Sequence, residues 1–148
     1  MKKKAIIVSI KGLKLTSREI LLLSKEKPWG LILFKRNIKS ATQIKKLIKS
    51  IRNYVKDKKF PILIDEEGSR VSRLRNIINH NFDANYFGNL YKINKKIAVN
   101  LYKKYLRILS GELKKLELIL ILFQFLIYLE KTPIKLLAIE VFLKKKKS

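Results

Sequence analysis

The sequence predicts an α/β protein in which parallel strands are covered by helices. Two observations carry this: three short runs that are almost wholly apolar, and one-sided helical stripes between them. Strands buried on both faces lose the in–out alternation of a half-solvated sheet, and a helix covering them needs only one apolar face. A third observation agrees. Polar clusters follow the second and third runs, at strand ends where parallel α/β folds gather their chemistry.

Each element follows from local signals. Ala5–Ile10 is the first apolar run and is expected as a buried strand. Thr16-Ser17-Arg18-Glu19 has capping-box spacing and predicts a short helix through Ser24. Trp29–Phe34 is the second strand, preceded by Pro28 and followed by the polar loop Lys35-Arg36-Asn37. Ser40-Ala41-Thr42-Gln43 repeats the capping-box spacing, and Ile44, Leu47, Ile48, Ile51 and Val55 behind it form a helical stripe. Phe60–Ile64 is the third strand, ending in Asp65. Residues 66–93 read as loop, with turn residues at Gly68-Ser69 and Gly88-Asn89. A long helix is expected from Asn94 to Leu116, burying Ile97, Ala98, Leu101, Tyr105, Ile108, Leu109 and Leu113.

Composition narrows the classes. The chain has 148 residues, 47% of them apolar, enough for one domain with a core. It has no cysteine, so no disulfide framework and no thiolate metal site. Met-Lys-Lys-Lys followed by Ala5–Ile10 imitates a secretory signal. The run is shorter than the ~7–15 residues of such a segment, and no small-residue cleavage site follows. A cytoplasmic location is expected. The net charge of +24 has two readings. One is a polyanion binder using its lysines on nucleic acid or an anionic surface. The other is AT-rich coding, which enriches lysine, isoleucine and asparagine. The lysines are spread along the chain, and aromatics do not alternate with basic residues as stacking platforms. The second reading is favoured, and no specific nucleic-acid partner is expected.

The cluster from Asp65 to Arg75, D-E-E-G-S-R-V-S-R-L-R, resembles the D-Q-E-G-G-R-V-x-R-L motif of family 3 glycoside hydrolases of the β-N-acetylhexosaminidase kind. Gly30–Asn37, G-L-I-L-F-K-R-N, is similar to that family's G-x-I-L-F-x-R-N, and the spacing of the two blocks agrees. Phe82, Ala84, Gly88, Leu90 and Tyr91, then Glu112-Leu113, extend the likeness over roughly residues 5–116. The resemblance implies a TIM-like (β/α)8 barrel, here incomplete, with only its first three strands and their helices. It implies hydrolysis of terminal β-linked N-acetylglucosamine in cell-wall recycling, so an N-acetylglucosamine-containing saccharide as partner, with no metal and no cofactor. It gives Asp65 and Arg73 the binding of the sugar, with Arg36, Asn37, Glu67, Gly68 and Arg70 as the supporting loops. A carboxylate at a strand end accepts sugar hydroxyls, and a guanidinium fork holds it or donates to sugar oxygens. Two departures alter the loop: Ser69 stands for a glycine, and Glu66 for a glutamine.

No catalytic residue is assigned. The family's histidine loop, K-H-F-P-G-H-G-like, and its later aspartate nucleophile have no counterpart in the sequence. His80, in Asn79-His80-Asn81, reads as a surface loop histidine. Asp65, Glu66 and Glu67 cannot face one another across a substrate as a catalytic pair does. Residues 117–148 leave the family pattern. Leu118–Leu129 is a twelve-residue, mostly apolar run, too short for the ~17–25 residues of a membrane span, and is expected as buried helix or strand. Read one base out of frame, AT-rich codons from Leu116 onward allow G-I-N-I-N-F-V-P-V-L-D, similar to the family's next strand. A frameshift after Leu116, where the family pattern ends L-G, is therefore expected. Residues 1–116 are then a partial hydrolase domain and 117–148 an unrelated tail. An incomplete barrel keeps open strand edges and an exposed apolar face, so poor stability is expected, with the remainder of the barrel as a candidate partner.

Overall fold

The computed structural model describes residues 3–66, 72–78, 82 and 84–121. Strand β1 (Lys4–Val8) leads to helix α1 (Ser17–Glu26), strand β2 (Pro28–Leu33), a single 3₁₀ turn at Lys35–Asn37 and helix α2 (Ala41–Val55). Strand β3 (Ile62–Asp65), helices α3 (Ala84–Ile93) and α4 (Lys95–Lys115) and strand β4 (Ile119–Ile121) follow. The four strands pair in sequence order and all in parallel.

Caps fix the first two helices. Thr16 Oγ1 accepts from the Glu19 backbone, and Glu19 accepts in return from the Thr16 backbone. Ser40 Oγ accepts from Gln43 N. Gln43 does not close the box. Its side chain accepts from Lys39 N and donates to Leu13 O and Asn37 O, tying α2 to both preceding loops.

Register assigns the two faces of the sheet. Val8, Leu31, Leu33, Ile62 and Ile64 share one face and pack with Leu23 of α1, Ile44, Leu47, Ile48 and Ile51 of α2, and Leu109 and Leu113 of α4. Burying each such side chain stabilises the fold by ~1.5–3 kcal/mol. The other face carries Ile7, Gly30, Ile32, Leu63 and Ile119, and none of these joins the helix-covered core. Gly30 lets β2 and β3 approach there. A Cβ at Gly30 would lie 3.0 Å from Leu63 Cδ1 and 3.1 Å from Pro61 O.

Four expectations are corrected. β1 is not buried: it is the edge of the sheet, and Ile6 and Ile7 are 46% and 48% exposed. Gly88-Asn89 is no turn, because both lie inside α3, where Phe87 packs on Tyr102 and Tyr105 at helical spacing. In α4 the buried set is Ala98, Tyr102, Leu106, Leu109 and Leu113, while Ile97, Leu101 and Ile108 are exposed. The ring cluster with Phe87 draws Tyr102 inward and rotates the core-facing stripe away from Ile97 and Leu101. The sheet has four strands rather than three: β4 lies at the start of the residues read as a tail, pairing Leu63 with Ile119 and Asp65 with Ile121. The rest of that apolar run, residues 122–129, lies outside the described residues.

Candidate saccharide-binding site

The ends of β1, β2 and β3 meet at one rim of the sheet. Asn37, fully buried, is the bracket. Its Nδ2 donates to Ile10 O at 3.0 Å and Gly12 O at 2.9 Å, and its Oδ1 accepts from Phe34 N at 2.9 Å. One amide therefore locks the exits of β1 and β2 together, and its side chain is used up in doing so. Arg36 is fixed from the same side: Nε donates to Ile10 O and Nη2 to Ser9 Oγ. Its guanidinium carbon lies 4.7 Å from the centroid of the Phe34 ring, a cation–π approach.

Asp65 ends β3, on the face that the helices leave uncovered. Arg73 returns to it, with Nη2 3.8 Å from Asp65 Oδ2, an ion pair rather than a hydrogen bond. The Arg73 guanidinium also stands 5.9 Å from the Phe34 centroid, so the ring carries a cation from each neighbouring loop. Arg36 and Arg73 thus approach one aromatic ring at the strand ends, and Asp65 joins them through Arg73. Ser72 Oγ and Arg73 Nε are buried without a hydrogen-bond partner among the described residues. Buried polar atoms are ordinarily satisfied, so these two can accept from or donate to a polar ligand.

Glu66 does not crowd Asp65. It turns to the opposite face, is 1% exposed, and its Oε2 accepts from Arg73 N at 2.8 Å and Leu74 N at 2.9 Å. A carboxylate holding two backbone amides closes the loop behind Arg73 and sets that residue's position. Glu67, Gly68 and Arg70 lie outside the described residues, as does His80. The roles of Phe34 and Glu66 were missed in the sequence. Phe34 reads there as the last residue of a strand, and Glu66 as a charge that stands for the family's glutamine beside Asp65.

A broad cleft elsewhere, between α1 and α2, is lined by Leu13, Lys14, Gln43, Lys46 and Tyr54 among others. It holds no carboxylate and does not reach Asp65.

Comparison with known proteins decides the relationship. A β-hexosaminidase of Haemophilus influenzae is 44% identical over 71 residues, covering 48% of this chain and 20% of that protein. One from Haemophilus ducreyi is 46% identical over 70 residues, with 47% and 20% covered. The crystal structure of NagZ from Neisseria gonorrhoeae with N-trifluoroacetyl-D-glucosamine superimposes with a TM-score of 0.68. It is 26% identical, and the match covers 78% of this chain and 35% of that one. The chain is related to the N-terminal part of the family 3 glycoside hydrolases. It matches about a fifth of the length of these curated β-hexosaminidases. No family model matches the chain. Among the described residues, no helix is long and apolar enough to cross a membrane.

Proposed function

We propose that this chain carries the sugar-gripping rim of a β-N-acetylhexosaminidase barrel without its catalytic groups. The observation that supports this most is the pairing of Asp65 with Arg73, whose guanidinium lies over Phe34 at the strand ends. Asp65 accepts hydroxyl protons of N-acetylglucosamine. Arg73 steadies that carboxylate and donates to sugar oxygens, and Phe34 offers an apolar floor to the pyranose ring. Arg36 and Asn37 support the rim, and the resemblance gives Glu67, Gly68 and Arg70 the same role. In this reading the chain descends from a hydrolase of cell-wall saccharides in the cytoplasm. It is inactive alone, because the sequence has no counterpart of the histidine loop or the nucleophilic aspartate. Residues 1–116 are the hydrolase portion of an incomplete barrel, and 117–148 continue out of frame. A separately supplied remainder of the barrel is what would restore turnover.

Titration of the ¹⁵N-labelled chain with N-acetylglucosamine tests the binding claim. Amide shifts at Phe34, Asp65 and Arg73, lost in Asp65→Asn, are expected. Shifts absent from these residues, or unchanged in Asp65→Asn, refute it. Release of p-nitrophenol from p-nitrophenyl N-acetylglucosaminide by the chain alone would refute inactivity. The nucleotides encoding Leu116 onward decide the frame directly. The net charge of +24 supports a second reading, a basic protein binding nucleic acid. A gel shift with random DNA that fades with salt favours it.

A further inference from the structure

Arg73 is loosely tethered at its tip. Its guanidinium lies 3.8 Å from Asp65, beyond hydrogen-bond length, and 5.9 Å from the Phe34 centroid. A partly exposed ion pair of this kind contributes little and does not hold a long side chain in one place. The backbone beneath that side chain must do so. Among the described residues, the Arg73 main chain makes one hydrogen bond, from its N to Glu66 Oε2 at 2.8 Å. The next residue, Leu74, is pinned three ways. Its N donates to the same Glu66 oxygen at 2.9 Å. Its carbonyl accepts from Ile77 N at 2.7 Å and Ile78 N at 2.8 Å. Its side chain is fully buried in the core.

Two fixed points therefore bracket Arg73. Leu74 belongs to the core, and Glu66 directly follows β3. Asp65 and Glu66 are neighbours that point to opposite faces. Together they hold the returning segment twice, Asp65 by the Arg73 side chain and Glu66 by the main chain. Glu66 is 1% exposed, so removing its oxygen would strand two amide donors where water does not replace it. The contact asks for one oxygen able to accept two N–H groups. A carboxylate provides that, and so does the carbonyl of glutamine, the residue for which Glu66 stands in the motif. We infer that Glu66 is a positioning residue for the sugar site, acting through Arg73 by supplying the acceptor that anchors its main chain. The ligand in this inference rests on the saccharide reading, whereas the anchoring of Arg73 is a property of the free chain.

Two measurements on the full ¹⁵N-labelled chain test it. The first is amide hydrogen exchange without ligand. Glu66→Met keeps most of the side-chain bulk and removes the strong acceptor, while Glu66→Gln keeps an acceptor. In Glu66→Met the Arg73 and Leu74 amides are expected to lose protection by about tenfold or more, while Leu47 in α2 keeps its own. In Glu66→Gln the protection at Arg73 and Leu74 is expected to stay near wild type. The second measurement is titration with N-acetylglucosamine, where Kd is expected to rise about tenfold in Glu66→Met and to recover in Glu66→Gln. Unchanged protection at Arg73 in Glu66→Met overturns the inference. So does a loss in Glu66→Gln as large as in Glu66→Met, because an acceptor is then not what the position supplies. Protection lost along the whole chain in Glu66→Met overturns it too, since Glu66 would then support the fold rather than Arg73. Protection lost at Arg73 with sugar affinity unchanged removes the positioning role. A wild-type chain that binds no N-acetylglucosamine refutes the saccharide reading instead, and exchange then decides the anchor by itself.

Discussion

Glu117 has φ 59°, in the left-handed region. It stands one residue past the C-cap of α4, where Leu118 N reaches Leu113 O at 3.0 Å and Glu117 N reaches Lys114 O at 3.0 Å. That is the Schellman pattern, which favours glycine at this position. Lys27 and Lys56, which end α1 and α2, are left-handed as well, with φ of 47° and 57°. A side chain in this region costs roughly 1 kcal/mol relative to glycine. Glu117 recovers part of that cost through its ion pair with Arg52, worth ~0.2–1 kcal/mol at a partly exposed site. Lys56→Gly is therefore expected to stabilise by about 1 kcal/mol and Glu117→Gly by less, ranked by urea midpoints. Equal gains would mean that the Arg52 pair contributes nothing. Gly30 predicts the opposite sign. Its added methyl would strike the Pro61 carbonyl as well as a Leu63 methyl, and backbone cannot yield cheaply. Gly30→Ala is expected to cost ~1–3 kcal/mol, the range for overpacking.

The elements show which signals the sequence held. Capping spacing at Thr16 and Ser40 gave both helix starts because it is local chemistry, settled within four residues. The stripe in α2 held for the same reason, its four core positions following one period. The α4 face was misread because Ile97 and Leu101 are as apolar as the residues that turned inward. The ring contact of Phe87 with Tyr102 and the packing of Leu109 and Leu113 against the sheet separate the two stripes. Residues 84–93 were misread as loop because Gly88 and Asn89 carry a turn signal that packing overrides. At the rim, the ion pair of Asp65 with Arg73 follows from the motif, in which an arginine can hold the carboxylate, but the approach of both guanidinium groups to Phe34 and the Glu66 clamp depend on contacts between loops. The α1 cap supports a pH prediction. Burial alone would raise the Glu19 carboxyl, but backbone donors from Thr16 and Lys11 outweigh it and hold it below its ordinary value of 4.5. Asp57 is held below 3.8, chiefly by Lys3 and then by the Lys59 backbone. Both groups release protons more readily folded than unfolded. Their stabilisation is complete above those ordinary values and is lost as pH falls through the lower folded ones. The urea midpoint should drop below about pH 4.5, and less steeply in Glu19→Gln. An equal slope in that variant would remove Glu19 from the account.

For the whole molecule, charge decides more than any single contact. The sequence holds 35 basic and 11 acidic residues. If every acid engaged one base, 35 − 11 = 24 cations would remain. The described ion pairs, such as Lys3 with Asp57 and Lys115 with Glu112, are largely exposed, and each contributes ~0–1 kcal/mol. Salt weakens those few attractions, but it also screens repulsion among all the cations, and such repulsion destabilises a compact state. The repulsive pairs far outnumber the attractive ones, so screening is expected to win. Raising sodium chloride from about 0.01 M to 0.5 M shortens the Debye length from ~30 Å to under ~8 Å. The thermal midpoint should rise by several degrees over that range, and sulfate should raise it further by being excluded from the surface. Differential scanning fluorimetry at several protein concentrations checks this, because screening within one chain does not depend on concentration. A midpoint that stays level or falls with salt would mean that the lysines lie too far apart to strain the fold.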